Sequence, residues 1–221
     1  MKNAKINKRN LVEQVYELLK ADILNLRLKS GERINLSTMV KSLDVSLSPV
    51  REAMNRLAKD HLVVYNHNRG YSVVKFTSKE IEDIFHLRKI FESETLIDFA
   101  RRENRDLYKE KFKKLRAKMV NSMKNKNETK RRRDFVKIDE EFHKMIVNVS
   151  NNLMLKKLFS QIWDLVVLTQ RIDREIDHSL MDHLAIIDSL LENSVDKAIE
   201  LLCSHIRNTE GRLLKIVEKS N

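Results

Sequence analysis

For most of its length this chain repeats apolar residues every three or four positions, the spacing of amphipathic helices, and one short stretch alternates instead. Leu11, Val15, Leu19 and Ile23 recur every four residues, with Val12 and Tyr16 beside them, which predicts a first helix from Leu11 to about Leu26. Lys29-Ser30-Gly31-Glu32-Arg33 interrupts it, after which Asn35 or Ser37 can cap a short helix carrying Leu36, Met39, Val40 and Leu43. A tight turn at Asp44–Ser46 leads into a third helix. There Ser48 is suited to accept from the first free N–H groups, Pro49 to the first helical position, and Glu52 to the positive helix end. Val50, Ala53, Met54 and Leu57 form its buried face, leaving Arg51, Asn55 and Arg56 for a partner. The alternating stretch follows: Leu62-Val63-Val64-Tyr65 and Tyr71-Ser72-Val73-Val74 predict two strands around an Asn66–Gly70 turn. Two short helices separated by a tight turn, then a hairpin with Arg69 at its tip, make a winged helix-turn-helix.

Beyond Thr77 no further strand pattern occurs, which places a boundary near Phe76–Ser78 and divides the chain into residues 1–76 and 77–221. Thr77 or Ser78 caps a helix bearing Ile81, Ile84, Phe85, Leu87, Ile90, Phe91, Leu96, Ile97 and Phe99. Further helices are predicted over about 105–123, 130–149, 153–172, 179–192 and 195–218, separated by polar breaks. The expected fold class is mainly α: an N-terminal winged helix-turn-helix with a small β-hairpin, followed by an all-helical antiparallel bundle. Scarce glycine (three) and proline (one) argue against a sandwich or barrel with many tight turns.

Charge sharpens this picture. The formal net charge is +11, and residues 1–76 carry 14 Lys/Arg against 7 Asp/Glu, so the basic excess is concentrated in the reader-like part. That skew points to a polyanionic partner, most simply double-stranded DNA, with an anionic membrane surface as the other option on charge alone. Lys2, Lys5, Lys8 and Arg9 form an arm suited either to phosphate contact or to solubility. Cys203 is the only cysteine, so no intrachain disulfide can form. No apolar run approaches the roughly 18–20 residues that span a bilayer, and Met1–Asn10 lacks the apolar core of a secretory signal. A cytoplasmic protein with no membrane association is expected.

Candidate chemistry lies in the second part. Asp139 and His143 are four residues apart and share a helix face with apolar neighbours, where an unpaired carboxylate would be costly. His183 and His205 each sit on the apolar face of their own helices. One carboxylate and three imidazoles suit a divalent metal ion, Zn or Ni first and Mn or Fe next, with positions left for water or an organic acid. Spacing alone leaves their convergence open. His61, His67 and His86 fall outside this pattern, His178 reads as a solvated loop position, and Trp163 as core or dimer packing.

The stretch from Leu36 to Val74, above all Val45-Ser46-Leu47-Ser48-Pro49-Val50-Arg51-Glu52-Ala53-Met54 and Arg69-Gly70-Tyr71-Ser72-Val73, resembles the GntR family of bacterial transcription regulators. The resemblance implies DNA contact by Ser46, Ser48 and Arg51, with Gly70 allowing close approach of the wing; Leu47, Asn55 and Arg69 complete the expected DNA-binding set. Leu47 departs from the family pattern, which usually has arginine there, as do Asp44, usually glycine, and Ser30, usually proline. Leucine offers only apolar contact, for instance to a thymine methyl. Asp139-Glu140-Glu141-Phe142-His143, Ser150-Asn151-Asn152, His183 and His205 are similar to the ligand-binding domain of the FadR-type branch, called FCD. That resemblance implies a metal held by Asp139, His143, His183 and His205, its coordination completed by a small carboxylate metabolite, with Asn152 and Arg88 as effector-binding residues. Arg88 equally suits a plain intrahelical pair with Glu92. The resulting expectation is a homodimeric repressor, released from a palindromic operator by its effector. A regulator with a purely structural metal is the alternative, and a metal-dependent hydrolase a more distant one, because Glu140 and Glu141 point by helical phase to other faces.

Overall fold

A computed structural model describes residues 11–103, 105–171 and 176–219, with backbone alone for 176 and 177. The arm cations Lys2, Lys5, Lys8 and Arg9 lie outside the described residues. The chain divides into two compact units, Met1–Phe76 and Thr77–Asn221.

In the first unit α1 spans Leu11–Leu24, with Val15, Leu19 and Ile23 buried at the four-residue spacing that predicted it. A two-residue strand, β1 (Arg33–Ile34), precedes α2 (Leu36–Leu43). Asn35 caps α2 by accepting from the Ser37 and Thr38 N–H groups, and Asp44 ends it at φ +52, the left-handed conformation for which glycine is usual and aspartate tolerated. Helix α3 spans Leu47–Lys59 and starts two residues earlier than expected: Ser46, not Ser48, is its N-cap, and its side chain makes no capping bond. Pro49 is therefore the third helical residue, where its missing N–H still costs nothing because the first four N–H groups have no intrahelical acceptor. Val50, Ala53, Met54 and Leu57 are fully buried, as the pattern requires.

Arg56 and Glu52 were expected to face a partner and the helix end; instead they pair with each other (3.0 Å), and Arg56 also reaches Glu13 of α1 (2.9 Å). A second tie joins the same helices, since the Tyr16 hydroxyl donates to Asp60 at 2.6 Å. Burial and this carboxylate push the Tyr16 phenol up to about 12. A phenol raised above its ordinary value near 10 contributes stability that is complete below about pH 10 and is lost as pH rises through about 12. In thermal melts between those pH values, Tyr16→Phe should lose less stability than the wild type; equal losses would show that this bond does not set the alkaline limit.

Strands β2 (Val63–Asn66) and β3 (Gly70–Val73) pair antiparallel, Tyr65 opposite Tyr71 and Asn66 opposite Gly70. The sheet is not a bare hairpin, because β1 adds to β3 with Arg33 opposite Ser72 and Ile34 opposite Tyr71, giving the order β1-β3-β2. Gly70 has φ +75 with open space where a Cβ would stand, so its backbone conformation, not crowding within the chain, calls for glycine.

Among the described residues six helices make the second unit: α4 (Ser78–Ala100), α5 (Asp106–Met123), α6 (Glu128–Asn148), α7 (Leu153–Gln170), α8 (Ile176–Leu191) and α9 (Val195–Glu218). Thr77 and Glu80 close a capping box at the start of α4. Helix α4 packs on α6, α7 and α9, and α8 packs on α5, α6 and α9. The core formed by α4, α6, α8 and α9 is where charged residues are buried. No described helix is long and apolar enough to cross a membrane.

Candidate metal centre and nucleic-acid interface

The apolar stripe of α4 runs Ile81, Phe85, Arg88, Glu92, Leu96 and Phe99, so a guanidinium and a carboxylate occupy core positions and both are fully buried. Four carriers of charge or lone pairs meet them. Helix α6 supplies Asp139 and His143, α8 supplies His183, and α9 supplies His205, all buried. The ligand atoms of the three histidines lie within 4.8 Å of one another. His183 Nε2 is 3.1 Å from His205 Nε2, and Asp139 Oδ1 is 3.7 Å from both His143 Nε2 and His183 Nε2.

Carboxylates orient two of the rings. Glu92 Oε2 accepts from His143 Nδ1 at 2.7 Å, and Asp182 Oδ2 accepts from His205 Nδ1 at 3.1 Å, which turns each Nε2 lone pair inward. Glu92 also accepts from Arg88 Nε at 2.8 Å, and Arg88 Nη2 donates to His143 Nε2 at 2.6 Å. His183 stacks on Phe142 with ring centres 4.0 Å apart, and Trp163 of α7 lies 5.6 Å from the His143 ring. Arg88 Nη1 and His183 Nδ1 are buried without a hydrogen-bond partner among the described residues.

Electrostatics separates the roles. Burial alone would raise the Asp139 carboxyl, but the His143 hydrogen bond and the charges of His143, His183 and Arg88 outweigh it and hold it at about 2. Burial pushes His183 and His205 well below the ordinary imidazole range, aided at His183 by His205 and His143 and at His205 by Arg88 and His143, so both are neutral donors of lone pairs at neutral pH. Burial and Arg88 also oppose charge on His143, yet Glu92 and Asp139 prevail and push it up. The donor set of three imidazole nitrogens and one anionic oxygen fits a borderline divalent cation. Tetrahedral Zn–N bonds of about 2.0–2.1 Å place two nitrogens about 3.3 Å apart, close to the His183–His205 separation.

Sequence reading missed two members of this cluster. Glu92 is visible as a carboxylate in the α4 stripe, one turn after Arg88, but the spacing suggests only a plain intrahelical pair; Asp182 precedes His183 and has no distinguishing pattern. Asn152, expected at the effector, is exposed and caps α7, its Oδ1 accepting from the Leu155 N–H at 3.0 Å. His178 is exposed on α8 rather than in a loop. Glu140 and Glu141 pair with Lys144 and Lys118 outside the cluster.

On the first unit, Ser46, Leu47, Ser48, Arg51, Asn55 and Arg69 are all exposed, Leu47 at 43%, while the opposite face of α3 is sealed. A groove of about 710 Å³ lies between α3 and the wing, lined by Arg33, Arg51, Tyr65, Arg69, Gly70 and Tyr71. None of its three arginines is paired with a carboxylate of a described residue. A grooved basic face on a winged helix belongs to a DNA-binding protein.

Known proteins agree. Residues 83–208 match the FCD domain family, and residues 11–73 match the bacterial regulatory proteins of the gntR family. The HTH-type transcriptional regulator YdhC of Bacillus subtilis (strain 168) is 27% identical over 213 residues, covering 93% of this chain and 92% of its own. The crystal structure of a GntR transcriptional regulator from Rhodococcus sp. RHA1 shares the fold with a TM-score of 0.73 at 21% identity, over 92% of this chain and 97% of that one. The Zn2+-bound FCD domain of TM0439 aligns with a TM-score of 0.52 at 20% identity, over 64% of this chain and 96% of that one. The chain belongs to the GntR family of bacterial regulatory proteins, in the group that carries an FCD domain, and is a DNA-binding transcription regulator.

Proposed function

We propose that this regulator is a cytoplasmic homodimeric repressor that leaves a palindromic operator when a small carboxylate metabolite binds at a divalent metal centre. The observation that carries the reading is the buried convergence of Asp139, His143, His183 and His205, with Arg88 beside them. These four residues hold the ion, Zn or Ni by preference and Mn or Fe next. When bound, the ion supplies open coordination positions for a carboxylate oxygen. Glu92 and Asp182 keep two histidines in the tautomer that offers Nε2. Arg88, whose Nη1 has no hydrogen-bond partner among the described residues, binds the effector's carboxylate as a charge-assisted donor. Phe142 and Trp163 exclude water, which strengthens each of these contacts.

Ser46, Leu47, Ser48, Arg51, Asn55, Arg69 and Gly70 form the DNA-reading surface, in which Arg51 reads a base and Arg69 enters from the wing. Two such readers related by a two-fold axis match a palindrome. The effector acts by binding the two arrangements of the readers unequally. Selection of bound duplexes from a random pool should return a palindrome, and Arg51→Ala should weaken binding to it by about 1–3 kcal/mol, some 5- to 150-fold. An unenriched pool, or wild-type affinity in the variant, refutes the reading. Release of the operator by metal and acid together, but by neither alone, separates it from a regulator whose metal is only structural.

A further inference from the structure

We propose that Tyr71 determines what α3 can read, by holding Asn55 as a pure hydrogen-bond donor. The inference rests on the DNA-reading role proposed for α3. Tyr71 is 6% exposed in β3, and its hydroxyl donates to Asn55 Oδ1 on α3. The register puts Ile34, Tyr65 and Tyr71 on one face of the sheet, since each is paired directly across its ladder. Tyr65 packs on Tyr71 with ring centres 4.8 Å apart, so the phenol is held from behind. Arg51 lies one turn before Asn55 on the same helix face and lines the groove with Tyr65 and Tyr71.

An unrestrained asparagine presents both its oxygen and its NH2 group, the pair that fits adenine at N6 and N7. Here the phenol keeps the oxygen turned toward the wing, so the NH2 group alone faces outward from an exposed position. A group with donors only is matched best where acceptors stand alone or together, at guanine O6 and N7 or thymine O4; adenine offers N7 but sets its N6 donor beside it, against the amide's own donors. Tyr71 touches no base in this arrangement; it is a positioning residue, and the same bond fastens the wing to α3.

Selection of duplexes should be run with the wild type, Tyr71→Phe and Asn55→Asp. The wild type should enrich guanine or thymine at the position Asn55 faces. Y71F, which keeps the ring and releases the amide, should admit adenine at that position alone and bind the wild-type operator less tightly. N55D keeps the acceptor for Tyr71 but removes both donors, and should lose the preference there together with roughly tenfold or more in affinity. It stands at an exposed position, so it decides the matter even if Y71F folds poorly in a thermal melt. A Y71F motif superimposable on the wild-type motif, or an N55D motif unchanged, would overturn the role of Tyr71 while leaving the regulator reading intact. A wild type that enriches nothing would overturn both.

Discussion

Replacing Glu92 with leucine should destabilise the second unit by about 3–5 kcal/mol, the cost of leaving one partner of a buried ion pair uncompensated. Arg88 and Glu92 are both completely buried, joined at 2.8 Å, and Glu92 also receives the His143 Nδ1 proton. Its removal orphans a guanidinium and an imidazole N–H at once. At roughly 2–4 °C per kcal/mol for a chain of this size, the melting temperature should fall by about 6–20 °C. Arg88→Met combined with Glu92→Leu should recover most of the loss, because a well-packed apolar pair replaces a desolvated ionic one at little net cost. Urea denaturation of the wild type, the single and the double variant measures both effects. A single variant as stable as the wild type would show that water or another group solvates Arg88 in the folded state.

Zinc should give the second large effect. At a hundred times its dissociation constant, a ligand that binds only the native state contributes about 2.7 kcal/mol. For this chain that is a rise of roughly 5–11 °C in the melting temperature of chelator-treated protein on adding zinc. His183→Ala should abolish the rise, and its persistence would place the ion elsewhere. The pH dependence has a definite sign. His183 and His205 are pushed low and carry no second proton at neutral pH, whereas His143 is pushed up, so of the three it is the ring at which protons compete with the ion as pH falls. The zinc-induced rise should therefore grow as pH increases through and above the ordinary imidazole range near 6.5.

What could be read in the sequence follows from where the information is local. The helix positions were legible because periodic burial is a property of each segment alone: Val50, Ala53, Met54 and Leu57 mark one face of α3 whatever packs against it. Strand β1 was not legible, because two residues, Arg33 and Ile34, are too few to show alternation and become a strand only through β3. The start of α3 was misplaced because Ser46 and Ser48 are equally good caps by composition, and the turn after Asp44 decides between them. Arg56 looked partner-facing because the helix pattern cannot show that Glu13 of another helix stands within 2.9 Å. The convergence of Asp139, His143, His183 and His205 is a property of three packed helices, so spacing marks the four residues and packing alone brings them together. Asn152, quoted within a motif, stands at the start of α7, whose end it caps, a local role that the residue type and position already suit.

The two ties between α1 and α3, Glu13 with Arg56 and Tyr16 with Asp60, together with the Tyr71 bond to the wing, brace the reader on its rear and on its side. In the proposed homodimer, a part braced in this way changes its distance from its twin at lower cost than it changes its own shape. The effector proposed for it should therefore leave each half-site's preferred sequence untouched and act on the length of spacer between half-sites that such a dimer will tolerate.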